Sequence, residues 1–371
     1  MIIHAKQALI SGELVTDVKI EVTDGLITSL EAQGSVDLEI AGTLIPGFVD
    51  MHCHGGGGSY FSAKNVEDIQ KVIDTHKKNG TTTTIASLVS EPLDQLKEQI
   101  KRLLPFVKSG KIAGIHLEGP YLSPGQCGAH DPALLRDPII PELQELLDVA
   151  DGSISMVTLA PELPHGLEAT EFLVDNGVVV AIGHSDADAE VTKKALAAGA
   201  SVITHFYNAI PRIDHYHPGI TLTGLLDDSV ILELINDGHH VANAAVELVL
   251  KNAPGRMVLI TDAMCAAGVD GGGDFKIGSL DVIVKEGVAR LKSNGSLAGS
   301  TLTMKSTFER LMSEFGATVE YASYCASTLP ARTLGIEYVG EIAIGKSAHF
   351  VELDSATNKV CLLYTSDAAD E

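Results

Sequence analysis

Between residues 45 and 265 the chain repeats one pattern, a short apolar run that stops at a polar or ionisable residue, followed by a longer stretch with helical spacing. Eight such runs occur: Leu44–Asp50, Thr82–Ser87, Ile112–Glu118, Met156–Glu162, Val178–His184, Val202–His205, Val230–Asp237 and Met257–Asp262. Good helix formers fill intervals such as Val66–His76 and Ala189–Ala198. Eight strand-then-helix units predict a TIM-like (β/α)8 barrel over residues 45–335, an α/β fold whose functional groups gather at the C-terminal ends of the strands. A doubly wound open sheet is the alternative. It would concentrate chemistry at one switch point, whereas ionisable residues end runs one, three, five, six, seven and eight, which suits convergence inside a ring.

The two ends of the chain read differently. Residues 1–44 alternate apolar and polar positions through Ile2-Ile3, Val18 to Val22 and Leu26 to Thr28, with Asp24-Gly25 at a hairpin turn. Ala348–Leu353 again reads as a strand. Together they predict a small β-sandwich split between residues 1–44 and 336–360. The last eleven residues, Cys361 to Glu371, resemble translated sequencing adapter and are set outside the fold.

Composition narrows the function classes. The 371 residues carry 26 Lys+Arg against 49 Asp+Glu, a formal net charge of −23, which argues against nucleic acid or an anionic membrane surface as a partner. At 45% hydrophobic and 20% charged residues, the chain has the makeup of a compact enzyme. Five cysteines, at 53, 127, 265, 325 and 361, give no disulfide framework, and no export segment is evident, so a reduced, cytoplasmic protein is expected. No apolar run approaches the ~20 residues that a membrane span requires.

Candidate chemistry lies at the run ends. His52 and His54, at i and i+2 on a strand, face the same side and can reach one ion. Glu118, His184, His205 and Asp262 end later runs. A single histidine after an apolar run is more often a satisfied core or rim residue, and a lone strand-end aspartate is often a helix cap. Their joint occurrence in barrel order is what such bland readings do not produce. Glu118, His184 and His205 supply three ligands with a position left open, as a catalytic zinc site requires. His52 and His54 suit a second ion sharing Glu118 or Asp262. One or two divalent ions are expected, with zinc first and iron or another divalent metal as alternatives. Cys53, between the two histidines, points the other way and reads as a packing residue.

The stretches Pro46–Gly58, His116–Pro120, Gly128–His130, Ile182–Ser185, Thr204–Ala209, Asp237-Gly238 with His240, Thr261–Ala263 and Leu297–Met304 together resemble the N-acetylglucosamine-6-phosphate deacetylase family of the amidohydrolase superfamily. The resemblance runs through nearly the whole chain to residue 360. It implies a metal-dependent barrel with a small β-sandwich and Glu118, His184 and His205 as the principal metal site. Asp262 is implied as the catalytic acid/base, and Ala129, His130, Asn208, Ala209, His240, Leu297, Ala298 and Gly299 as contacts to the amino sugar. The chain keeps His52 and His54, as the two-metal branch does. The implied reaction hydrolyses the acetamide of N-acetylglucosamine 6-phosphate to glucosamine 6-phosphate and acetate in amino-sugar catabolism, with a homodimer or higher homo-oligomer expected.

One departure stands out. Where the family carries an arginine that reaches the sugar phosphate, this chain has Tyr216, followed by His217-Pro218-Gly219. Arg212, His215 and His217 on the same loop are the candidates to replace its charge. Competing readings are an amidohydrolase acting on an unphosphorylated amino sugar or a cyclic amide, and a non-catalytic scaffold. Run four ends at Glu162 without the lysine that cyclic-amide hydrolases place there, and the ligand set is complete, which a scaffold would not need.

Overall fold

The structure, a computed structural model, describes residues 1–364. Eight parallel strands form one sheet in sequential order: β1 (Phe48–Cys53), β2 (Thr81–Leu88), β3 (Gly114–Glu118), β4 (Ile154–Leu159), β5 (Val179–Ile182), β6 (Val202–Ile203), β7 (Ile231–Ile235) and β8 (Met257–Ile260). Their residues are β-branched or leucine-rich and buried on both faces, as expected for a parallel sheet with no solvated side. The ring closes just past β8. There the Asp262 N–H donates to the His52 carbonyl (2.8 Å), the His54 N–H donates to the Ala263 carbonyl (3.0 Å), and Ala263 bridges to Cys53. The expected barrel is present.

The first strand is displaced from its expected place. Leu44–Asp50 was the expected run, but the barrel strand is Phe48–Cys53, and Leu38–Pro46 belongs to a different sheet. The change of partner falls at Pro46-Gly47. Proline has no N–H to continue a ladder. A Cβ on Gly47 would lie 2.3 Å from the Thr82 hydroxyl, so only glycine lets the chain pass there. A second feature was not anticipated: after β8 comes a three-stranded antiparallel sheet (Gly273–Ile277, Leu280–Lys285, Val288–Leu291). Its Ile277, Val282, Val284, Ala289 and Leu291 form an apolar cluster with Met264, Cys265 and Ala298.

The chain divides into two compact units, residues 51–75 with 84–302, and residues 1–50 with 76–83 and Thr303 onward. The second of these contains a six-stranded sheet drawn from both chain ends, in the order 360–364, 350–353, 38–46, 2–10, 13–23, 26–29. Asp24-Gly25 forms the expected hairpin turn with both residues at positive φ, +49° and +74°. Ile3, Ala5, Val18, Ile20, Ile40 and Phe350 fill the core of this unit. In the same unit the helix Met304–Phe315 is fixed by a capping box of Thr303 and Ser306, and it ends at Gly316 with φ +67°. Residues 362–364, expected to lie outside the fold, pair with Phe350–Glu352; the remainder of that stretch from residue 365 lies outside the described residues. No helix among the described residues is long and apolar enough to cross a membrane.

Candidate metal centre and active site

The candidate residues come together at the C-terminal ends of the barrel strands, all within the unit of residues 51–75 and 84–302. His52 is the last residue but one of β1 with His54 just beyond the strand, Glu118 ends β3, and His184, His205 and Asp262 follow β5, β6 and β8 within two residues. Three of these follow-on residues hold left-handed backbone: φ is +48° at His184, +29° at His205 and +46° at Asp262. Such conformations cost about 1–3 kcal/mol each for a non-glycine residue and concentrate at functional sites.

Glu118 is the hub. Its Oε1 lies 3.1 Å from His184 Nε2, 3.1 Å from His205 Nε2 and 3.5 Å from His52 Nε2. Its Oε2 lies 3.2 Å from His54 Nε2 and 3.3 Å from His130 Nε2. Asp262 Oδ1 stands 3.3 Å from His54 Nε2 and 3.6 Å from His52 Nε2. His184 and His205 bring their Nε2 atoms to 3.0 Å, and His52 and His54 bring theirs to 3.1 Å.

Two ring nitrogens so close must share something other than a proton each. The far side of each ring shows what. His184 Nδ1–H donates to the Gln126 carbonyl (2.7 Å), His205 Nδ1–H to the Asn208 carbonyl (3.1 Å) and His52 Nδ1–H to the Glu233 carboxylate (3.1 Å). With Nδ1 committed as a donor, Nε2 is the nitrogen that each ring turns toward Glu118, and the one it can offer to a cation. That is the outer-shell arrangement that metal-ligating histidines have. The donor set of imidazole nitrogen and carboxylate oxygen therefore fits a divalent cation of the zinc or iron type.

His130 is committed the other way. The Ser90 N–H points at its Nδ1 (3.3 Å), with the Ser90 hydroxyl 2.8 Å from the same atom, so Nδ1 accepts and Nε2 carries the proton. His130 thus faces the centre as a donor. His116, two residues before Glu118 and on the same face, has both nitrogens occupied, by Ser87 (2.9 Å) and Thr158 (2.8 Å). Burial holds its pKa well below the ordinary histidine value, so it is a neutral filler under the site.

Electrostatics keep both acids ionised. Burial pushes Glu118 upward, but His52, His130 and His184 outweigh it and hold the carboxyl well below its ordinary value. Asp262 is likewise lowered, by His52 and His54 against burial. His184 is pushed down to about 4 by burial, and His54 is raised to about 9 against burial by Asp262 and Glu118.

A cavity of about 340 Å³ opens onto this centre, a size suited to a small ligand. Ala129, His130, Asn208, Ala209, His240, Leu297 and Gly299 line it, together with Gln126 and Ser296. Ala298 does not line it; its side chain packs in the apolar cluster behind. His240 is oriented by Asp237, which accepts from its Nδ1–H at 2.6 Å. Gly128, at φ +56°, brings the loop so close to His184 that a Cβ would lie 2.9 Å from the ring. Among the described residues neither lysine nor arginine lines the cavity, and Arg212, His215, Tyr216 and His217 lie outside the lining, with Tyr216 78% exposed.

Comparison with known proteins agrees with this arrangement. A family model described as the amidohydrolase family matches residues 43–368. The chain belongs to that family. Relatives include an N-acetylgalactosamine-6-phosphate deacetylase of Escherichia coli O157:H7, 36% identical with 95% of each chain covered. Another, an N-acetylglucosamine-6-phosphate deacetylase of Vibrio furnissii, is 34% identical, covering 95% of this chain and 90% of its own. Among solved structures, a mutant N-acetyl-D-glucosamine-6-phosphate deacetylase from Mycobacterium smegmatis, in complex with N-acetyl-D-glucosamine 6-phosphate, matches with a TM-score of 0.94. It is 38% identical, with 99% of this chain and 98% of its own covered.

In this amidohydrolase two features escaped the sequence reading. Glu233 reads there as one polar residue in an apolar strand, Ile231-Leu-Glu-Leu-Ile235, yet it is fully buried against His52. Glu162 holds the turn after His184 by accepting from the Ser185 hydroxyl and the Asp186 N–H, both at 2.6 Å. A lone carboxylate inside a run otherwise buried on both faces is the signal for the first; nothing local signals the second.

Proposed function

We propose that this protein is a metal-dependent deacetylase of N-acetylglucosamine 6-phosphate that releases acetate and glucosamine 6-phosphate, a cytoplasmic enzyme working as a homo-oligomer in amino-sugar catabolism. The observation that carries the reading is the convergence of histidine Nε2 atoms on Glu118 at the floor of a cavity that also holds Asp262. Two groups of donors converge on Glu118, which supports two ions, zinc first. His184 and His205 make one group, each 3.1 Å from Glu118 Oε1; His52 and His54 make the other, with Asp262 Oδ1 3.6 Å and 3.3 Å from their Nε2 atoms.

A divalent metal held there supplies Lewis acidity, making water acidic near neutral pH and polarising the acetamide carbonyl. Asp262, ionised and at the cavity floor, takes the proton from the attacking water and passes it to the departing amine. His130 Nε2–H donates to the carbonyl oxygen as that oxygen gains charge. Asn208, Ala209, Leu297 and Gly299 position the sugar, with His240 the ionisable group among those lining residues suited to an anionic substituent.

The test is acetate release from N-acetylglucosamine 6-phosphate, its 4-epimer and the unphosphorylated sugar, before and after chelation. The expected order places the glucosamine phosphate first and abolishes turnover on chelation. No acetate from any substrate with the metal restored would overturn the reading. A faster reaction with the galactosamine epimer would move the assignment to the substrate that the Escherichia coli relative is named for.

A further inference from the structure

The carboxylate of Glu233 is completely buried and does not line the cavity. One oxygen, Oε2, accepts from His52 Nδ1–H and from the main-chain N–H of His205, both at 3.1 Å; the other, Oε1, has no hydrogen-bond partner among the described residues. A charge in such a place costs several kcal/mol unless opposite charge compensates it. Replacing a whole buried pair by apolar residues is often neutral for stability, whereas removing one partner is costly, so the presence of this carboxylate is tied to the His52 ring and the His205 N–H that it holds.

We infer that Glu233 is a positioning residue for the ion held by His52 and His54. The inference rests on the two-ion reading above. By accepting from Nδ1, Glu233 fixes His52 in the one tautomer and ring orientation that aim Nε2 at Glu118 and Asp262. Through the His205 main chain the same oxygen ties the first-strand ligand to a ligand of the other group, so the two halves of the centre keep their spacing. Its negative charge also raises the basicity of the imidazole it holds, which tightens a cation on the opposite nitrogen. His54 has no such support, its Nδ1 being buried without a hydrogen-bond partner among the described residues. The His52 side of the pair therefore depends on Glu233.

The experiment titrates metal-stripped protein with Co2+, following the visible ligand-field bands and the stoichiometry by elemental analysis. Wild type, Glu233→Ala, Glu233→Met, Glu233→Gln and the His52→Asn, His54→Asn double variant are compared. The double variant is expected to lose about one equivalent. Glu233→Ala and Glu233→Met should bind that same equivalent about 10–100-fold more weakly while the other is unchanged, and Glu233→Gln, which still offers an acceptor to Nδ1–H, should recover part of the loss. Glu233→Met fills the volume of the side chain and serves if the alanine variant does not fold. If both ions bind Glu233→Met as they bind wild type while the double variant loses one, Glu233 has no positioning role and the two-ion reading stands. If the double variant keeps full stoichiometry, the two-ion reading fails and the role of Glu233 falls with it. A lowered melting temperature with unchanged affinities would mark a structural role only.

Discussion

At the scale of single side chains, the histidines around Glu118 differ in which ring nitrogen is already spoken for. His52, His184 and His205 donate from Nδ1 and offer Nε2, whereas His130 accepts at Nδ1 and donates from Nε2. Replacing His130 with alanine is therefore expected to lower kcat about 100-fold with metal content unchanged, read by acetate release and elemental analysis. A lost metal equivalent would make His130 a ligand instead. Asp262→Asn should lower kcat about 10²–10⁴-fold while retaining metal, because an amide cannot carry the proton. The variant is expected to keep the local backbone, since asparagine tolerates the φ of +46° that this position imposes. The residue types at the centre were legible as histidine and acid at strand ends. Their tautomers were not, because Gln126, Asn208 and Ser90 act through main-chain groups that any sequence would supply.

Elements deliver these side chains, and their anchoring is polar as well as apolar. Arg256, at the start of β8, reaches back to the carbonyls of Gly224 (3.0 Å), Leu225 (2.9 Å) and Val230 (2.9 Å), closing the C-terminal end of the helix Ile220–Leu226 just before β7. Arg256→Met leaves buried carbonyls unpaired and is expected to cost about 3 kcal/mol in denaturant unfolding. In the sheet of the chain ends, His4 lies between Glu39 (2.6 Å) and Asp17 (2.7 Å), whose hydrogen bonds raise its pKa. A group raised on folding stabilises fully below its unfolded value of about 6.5, and the gain is lost as pH rises through the folded value. The melting-temperature difference between wild type and His4→Gln should thus be present at pH 5.5 and vanish at high pH. Strand periodicity made most barrel strands readable to within a few residues. The shift of the first strand was not readable, because its cause is the approach of Thr82 to Gly47, a contact between distant parts of the chain. The sheet of residues 273–291 was hidden by short strands and glycine-rich turns that carry little pattern.

For the molecule as a whole, the metal centre is also a source of stability. A ligand that binds only the folded state adds about 2.7 kcal/mol at a free concentration a hundred times its dissociation constant. Chelation should lower the melting temperature and re-addition of metal restore it, while Glu118→Gln, which loses the hub of both groups, should show little of this response in calorimetry. A chelation shift equal to that of wild type in Glu118→Gln would place the stabilising ion elsewhere.

The way the ring closes also sets an order in time. Glu118, His184 and His205 are contacts at separations of 87 residues or fewer, whereas the hydrogen bond from Thr261 back to the His52 carbonyl spans 209. A chain emerging from the ribosome at roughly 5–20 residues per second completes the first group well before Asp262 exists to join it. The donors of the first group are therefore made before the side chain that moves the proton. However early the other donors are made, competence for hydrolysis is completed by the last strand of the ring.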